Sequence, residues 1–205
     1  GLNAKKEKLD EKATTADAAN VKRYDYSVYA EDDYRLIKDF ILSTGIRYNY
    51  DENYGSHVSP RIYGIYNLND FFALKGGVST GYATPDIKQR TQDLALPFAG
   101  GRGAQLGRSS LKPETSVSYE FGGVYNNNEG FETSLTGFYT SFKDMLSYNP
   151  ICSRGSVCRH KGKIYPNGIW ESINIGKAEI YGVELTNEWQ VTNALRLNQS
   201  YVYTK

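Results

Sequence analysis

Polar and apolar residues alternate one for one along most of the chain, the period of a β-strand with one greasy face and one wet face. In "VKRYDYSVYAED", Tyr24, Tyr26, Val28 and Ala30 share a face against Arg23, Asp25, Ser27 and Glu31, with Tyr29 out of step. "FILSTGIRYNYD" sets Phe40, Leu42, Ile46, Tyr48 and Tyr50 against Ser43, Arg47, Asn49 and Asp51. "HVSPRIYGIYNL" and the stretch from Phe72 continue the pattern: Val58, Ile62, Tyr66 and Leu68 oppose Ser59, Arg61 and Asn67, and Phe72, Leu74, Val78 and Tyr82 oppose Lys75, Gly77, Ser79 and Gly81. Four more follow in "TSVSYEFGGVY", "FETSLTGFYTSF", "EIYGVELTNEW" and "LRLNQSYVYTK". Eight strands of about ten or more residues are predicted, against the usual five or six of a globular domain.

The connections alternate as well. Short ones follow the odd-numbered strands, at "RLIKD", "ND", "NNNEG" and "VTNA". After the even ones come a brief "ENYGS" and then two long loops, 84–110 and 147–171. Long structureless loops count against a compact soluble domain. Tight turns at one rim and long loops at the other are what a transmembrane β-barrel predicts. Residues 1–20 are charged and poor in apolar side chains, so they are expected to be a further extracellular loop or a disordered end. Gly76, Gly77 and Gly81 inside a strand predict a bend, or close approach of neighbouring backbones; a glycine-weakened edge strand is the plainer alternative.

Composition sharpens this. Mean hydropathy is −0.56, which looks soluble, and no apolar run is long enough for a transmembrane helix. A spanning β-strand gives no such signal, because half its residues face away from lipid. There are 18 tyrosines against 8 phenylalanines, and tyrosine suits a surface that meets both hydrocarbon and water. Arg47, Arg61, Lys75, Glu120, Glu132, Glu184 and Arg196 fall on the polar faces, where a dry core would make them costly; a wet lumen accommodates them. The net charge of +1 argues against a nucleic-acid partner. Cys152 and Cys158 in "CSRGSVC" fit a small disulfide-closed loop in an oxidising compartment, a metal pair being the alternative.

Several phrases, in order, resemble the barrel of TonB-dependent outer-membrane receptors. They are "YAED" (Tyr29–Asp32), "YGSHVSPR" (Tyr54–Arg61), "LKGGVSTGYATPDIKQ" (Leu74–Gln89), "LKPETSVSYEFGG" (Leu111–Gly123), "SLTGFYTSFKD" (Ser134–Asp144) and "NIGKAEIYGVEL" (Asn174–Leu185). The likeness is greatest to ferric-catecholate siderophore and colicin I receptors. It implies an all-β fold: an antiparallel, up-and-down transmembrane barrel segment over residues 21–205, about eight strands of a 22-stranded barrel. Such barrels are filled by a plug that TonB engages. No plug is read here, so the expectation is an internal piece of the barrel in the bacterial outer membrane. Where the family commonly has a basic residue before Ala-Pro, this chain has Ala83 and Thr84, which puts that residue's role in doubt.

The resemblance implies a ferric siderophore as ligand, TonB as partner through the plug, contact with lipid and lipopolysaccharide, and colicin or phage attachment at the loops. Iron enters only as siderophore cargo, and no cofactor is expected. Ferric catecholates are anionic and aromatic, so arginine and lysine in the loops suit their capture. The first long loop offers Lys88, Arg90, Arg102 and Arg108 with Lys112 against Asp86 and Asp93; the second offers Arg154, Arg159, Lys161 and Lys163 with His160. Solvation of a loop, or contact with lipopolysaccharide phosphates, explains the same charges more plainly. An enzyme is not expected: two histidines, no HExxH, no GxSxG and no P-loop leave no reactive cluster to assemble. The alternative function is a complete eight-stranded barrel with a structural or adhesive role, which would require the first and last strands to pair.

Overall fold

The computed structural model describes residues 1–11, 19–92 and 94–205; Asp93, counted above among the loop acids, lies outside the described residues. Long antiparallel strands make up the wall: β1 (Leu2–Glu11), β2 (Ala19–Ile37), β3 (Phe40–Asp51), β4 (Gly55–Asn67) and β5 (Phe72–Ala83). The first long loop contains α1 (Ile87–Arg90), β6 (Ala95–Phe98) and β7 (Gly103–Leu106). The wall resumes with β8 (Glu114–Asn126) and β9 (Phe131–Cys152), and the second long loop carries β10 (Arg159–His160) and β11 (Lys163–Ile164). The last two strands are β12 (Ile169–Thr192) and β13 (Leu195–Thr204).

One sheet of eleven strands results, ordered β1-β2-β3-β4-β5-β8-β9-β12, with β13 and β7-β6 both on the far edge of β12. All but β6 and β7 belong to the wall, so the wall has one strand more than the alternation predicts. The extra strand is β1. Residues 1–20 were expected to be a loop or a disordered end, yet Leu2 to Glu11 pair with Val28 to Ala19. Polarity is no obstacle to an edge strand that pairs with one neighbour and faces water elsewhere.

The complete-barrel alternative fails on pairing. β13 runs along Gly182–Thr192 of β12, and β2 pairs with β1 and β3. Among the described residues, no bridge joins β13 to β1 or β2, and the sheet is open.

The two faces are as the alternation requires. One carries a row of rings near the short turns: Phe72 lies 4.7 Å from Tyr125, Tyr125 lies 6.4 Å from Phe131, and Phe131 lies 6.4 Å from Trp189. A second row stands eight positions further along β9 and β12 and six along β8: Tyr119 and Tyr139 are 6.3 Å apart, and Tyr181 is the cross-strand partner of Tyr139. Eight residues span about 26 Å of strand, or about 20 Å of height at a tilt of ~40°, close to the ~25 Å apolar band between aromatic girdles. Between the rows Leu135, Val183 and Leu185 are exposed, as lipid-facing residues are in a chain free of lipid.

The strand glycines are explained by contact. β5 is a central strand, paired on both sides, so the edge-strand alternative is excluded. A Cβ on Gly77 would run into the carbonyl oxygen of Ile62 and the Tyr63 ring, and one on Gly76 would lie 2.9 Å from the carbonyl oxygen of Glu120. Tyr63 covers Gly77 and Phe138 covers Gly182, rings of neighbouring strands filling the place of missing side chains.

One residue departs from the alternation. Tyr82, expected on the apolar face, turns to the polar side and stacks on His57 at 4.1 Å, interplanar angle 10°. The β4–β5 ladder runs only from Asn67↔Ala73 to Arg61↔Ser79 and ends where Pro60 has no N–H to give. Beyond that point β5 has ladder pairing with β8 alone, and Thr80 reaches β4 only through its hydroxyl, bonded to the Pro60 carbonyl at 3.0 Å.

Candidate functional site

The long loops fold into a cap joined to the polar face of the wall. β9 and β12 rise together as a ribbon, paired up to Ile169↔Cys152, and the Cys152–Cys158 disulfide closes its tip. The first loop reaches the far edge of this ribbon, where β7 pairs in parallel with Ile169–Glu171 of β12. Ala95, Ala104 and Leu106 of the first loop are buried with Cys158, Tyr165 and Ile169 of the second. A second buried cluster joins Ile87 and Leu94 to Leu9 of β1. The two loops therefore share a core, and the first loop also packs against β1 through a separate cluster.

Polar contacts fix the cap at its base. Arg23 is 4% exposed and Asp51 2% exposed. The Arg23 guanidinium donates from Nε to Asp51 Oδ2 at 2.7 Å, from Nη1 to the carbonyl of Pro85 at 2.6 Å, and also to the Thr84 hydroxyl. Glu7 stands 3.4 Å away on β1. Asp51 also accepts the backbone N–H of Asn53 at 2.8 Å, so one carboxylate turns the chain between β3 and β4 and neutralises Arg23. Thr84 supplies a hydroxyl to the same cluster.

Helix α1 is a short keystone. Asp86 caps it by accepting the Lys88 N–H at 2.8 Å while Gln89 returns its carbonyl to the Asp86 N–H. Gln89 also donates to the Tyr148 hydroxyl on β9 at 3.0 Å. Arg90 lies over the Tyr54 ring, 5.7 Å from its centroid. Burial raises the Tyr54 phenol above its ordinary value, and the Arg90 charge only partly offsets this. Burial likewise raises Tyr165, in the shared core.

On the ribbon's other side, Asn174 acts as a side-chain peptide. Its Oδ1 accepts the Lys112 N–H at 2.8 Å, and its Nδ2 donates to the carbonyls of Lys112, at 2.9 Å, and Asp144, at 2.7 Å. Asp144 has a φ of 55°, a conformation Asp tolerates better than most residues.

The structure separates the cationic residues that the sequence singles out. Lys88 is exposed on α1, and Arg90 is half-buried against Tyr54. Arg108 is turned to Ser110 and to Glu171, 3.5 Å away. Arg102 occupies the β6–β7 turn, where its carbonyl accepts the Asn167 N–H. Arg154, Arg159, Lys161 and Lys163 crown the disulfide-closed tip, all exposed, with the Lys163 ammonium 5.3 Å from the Tyr165 ring. The sequence did not single out Arg23, Lys5 or Gln89, which line a polar cavity of about 420 Å³ with Arg47, Asn49 and Thr84. Arg47 bonds Ser27 and Asn49 there, and Arg61–Glu31, at 2.8 Å, and Arg196–Glu188 are ion pairs on the polar side of the wall. Among the described residues no three His, Cys, Asp or Glu side chains gather as a metal site.

An open wall with girdled and polar faces, short turns at one rim and a folded cap at the other defines a length of large outer-membrane barrel. The chain belongs to the TonB dependent receptor-like, beta-barrel family, whose pattern it matches over residues 4–205. It is 34% identical over its whole length to the iron-regulated outer membrane virulence protein of Vibrio cholerae, of which it spans 31%. It is 28% identical to the ferric enterobactin receptor of Pseudomonas aeruginosa, with 87% of this chain and 24% of that protein aligned. Its fold matches the crystal structure of the P. aeruginosa siderophore receptor PirA with a TM-score of 0.82 at 21% identity, covering all of this chain and 38% of that one. The outer membrane is thus its location, and the chain spans about a third of the length of the curated relatives it matches most fully.

Proposed function

We propose that this chain provides wall and extracellular loops to a receptor that takes up a ferric siderophore in a TonB-dependent manner, and that the siderophore is of the catecholate class. The observation that carries this is the kinship with receptors named for ferric enterobactin, in P. aeruginosa and Escherichia coli. The chemistry of the cap supports it. Nine basic side chains from Lys88 to Lys163 stand on loops interleaved with Tyr148, Tyr165 and Trp170, and a ferric tris-catecholate is an anion with aromatic faces. Lys88, Arg102, Arg154, Arg159, Lys161 and Lys163 are the exposed candidates for first contact. Arg108 is exposed as well but turned to Ser110 and Glu171, and Arg90, half-buried against Tyr54, would act by shaping the cap. TonB would act through the receptor's plug.

The test is equilibrium binding to the receptor that carries this chain, purified in detergent. Ferric enterobactin is expected to bind, to lose affinity as salt rises, and to outcompete an uncharged ferric hydroxamate. Equal binding of the two complexes would overturn the catecholate assignment.

A further inference from the structure

The hairpin β10–β11 at the top of the ribbon has two unlike faces. Its register sets Arg159 opposite Ile164 and His160 opposite Lys163, and the Tyr165 N–H donates to the Cys158 carbonyl at 2.8 Å. Side chains two apart on a strand share a face. Cys158, His160, Lys163 and Tyr165 therefore look one way, and Arg159 and Ile164 the other. The first face is turned into the core that the two loops share, where Cys158 is 1% and Tyr165 3% exposed. On the second, Ile164 is 50% exposed, and Val157, just before the hairpin, is 73% exposed. Lys161 stands exposed in the turn, with a φ of 46°.

The lipid around the wall does not account for these aliphatic side chains. Cys152 lies thirteen residues beyond Tyr139 of the upper ring row. That is about 40 Å of strand, or about 30 Å of height at a tilt of ~40°. Their cationic neighbours are not balanced locally either. From Met145 to Trp170 the chain has four lysines and arginines and neither aspartate nor glutamate. Arg154, Arg159 and Lys161 enter no ion pair among the described residues. Exposed aliphatic side chains rimmed by charge of one sign mark a docking surface for a partner of the opposite sign.

We propose that this outer face docks an acid-bearing extracellular loop of the same receptor, carried by wall strands other than those of this chain. Size favours a tethered partner. Val157, Arg159, Lys161 and Ile164 cover only part of the ~800 Å² per side of a stable interface between separate proteins. A loop anchored in the same barrel meets the tip at an effective concentration in the millimolar range, so a small contact suffices. There is length for it: the V. cholerae relative is spanned over 31% of its sequence. Carboxylates of the loop answer Arg159 and Lys161, and its apolar residues cover Val157 and Ile164. Lys163, on the inner face, stays available to an incoming anion, and the contact is independent of which ligand the receptor imports.

The experiment is carbodiimide cross-linking of the receptor that carries this chain, in isolated outer membranes, read by peptide mass spectrometry. The reagent joins an amine to a carboxylate with loss of water. Lys5 and Glu7, 2.5 Å apart, are the internal control. Lys161 is expected to be joined to an Asp or Glu of the receptor outside residues 1–205. Hydroxyl-radical footprinting of the same membranes is expected to label Val157 and Ile164 slowly. Arg159→Gln/Lys161→Gln should raise that labelling at least about threefold, while Arg159→Lys/Lys161→Arg keeps it at the wild-type rate. Lys161 left unlinked while Lys5 and Glu7 are joined would overturn the proposal. So would a link from Lys161 to an acid within residues 1–205 or to another protein, or equal labelling of Val157 and Ile164 in wild type and the glutamine variant.

Discussion

Arg23 and Asp51 meet at 2.6 Å beneath the first long loop, each almost sealed from water. The pair lies at the meeting point of β2, the β3–β4 turn and the chain leaving β5, so it ties cap to wall. Removing one member leaves the other as an uncompensated buried charge, which costs about 3–5 kcal/mol. Arg23→Ala is therefore expected to release residues 84–94 without dissolving the barrel. Hydrogen exchange should rise at Ile87–Leu94 and stay slow in β8 and β9. Unchanged protection in the loop would show that the apolar cluster of Leu9, Ile87 and Leu94 suffices.

Much of the wall was legible because lipid on one side and water on the other enforce strict alternation. Phe131, Leu135 and Tyr139, or Tyr181, Val183 and Leu185, announce their face with no knowledge of their neighbours. β1 was not legible: "LNAKKEKLDE" has no greasy stripe, and its strand is dictated by the ladder to β2. The Arg23 cluster was hidden for another reason. Its partners lie 28 and 62 residues away, and only the register that places Asp25 opposite Asp51 brings them within reach. Loop charges could be counted in the sequence, but which of them point outward depends on helix α1 and on a core shared between two loops.

The disulfide should hold the cap together as well as its own tip. Closing so short a loop is worth about 2 kcal/mol in the chain-entropy account. Because Cys158 is buried against Ala104 and Leu106, Cys152→Ser/Cys158→Ser is expected to expose both long loops to protease. Limited proteolysis with mass spectrometry should find cuts in 95–106 and in 153–168 together. Cuts confined to the second loop would contradict a shared core.

Asn174 offers a sharper test of the ribbon's base. Asn174→Asp keeps the shape but sets a carboxylate against the carbonyls of Lys112 and Asp144, in place of an amide that donates to both. The loss is expected to be about 1–3 kcal/mol, more than for an ordinary surface change. Urea unfolding from detergent should show a lower midpoint with the slope unchanged. A midpoint equal to that of wild type would remove Asn174 from the account.

Glycines 77 and 137 should behave oppositely. Gly77→Val drives a side chain into the Ile62 carbonyl, whereas Gly137→Ala finds only ordinary contact distances. Refolding yield in detergent should collapse for the first and hold for the second. Equal yields would mean that strand curvature, rather than close approach, selects glycine in β5.

The central claim is sidedness: one face of every wall strand meets hydrocarbon and the reverse meets water. Spin labels at Leu135 and Val183 on one face, and at Glu120 and Glu184 on the other, measure it directly in liposomes. The account predicts collision with dissolved oxygen and exclusion of a water-soluble nickel chelate at the first pair, and the opposite at the second. The same accessibility at all four positions would contradict it.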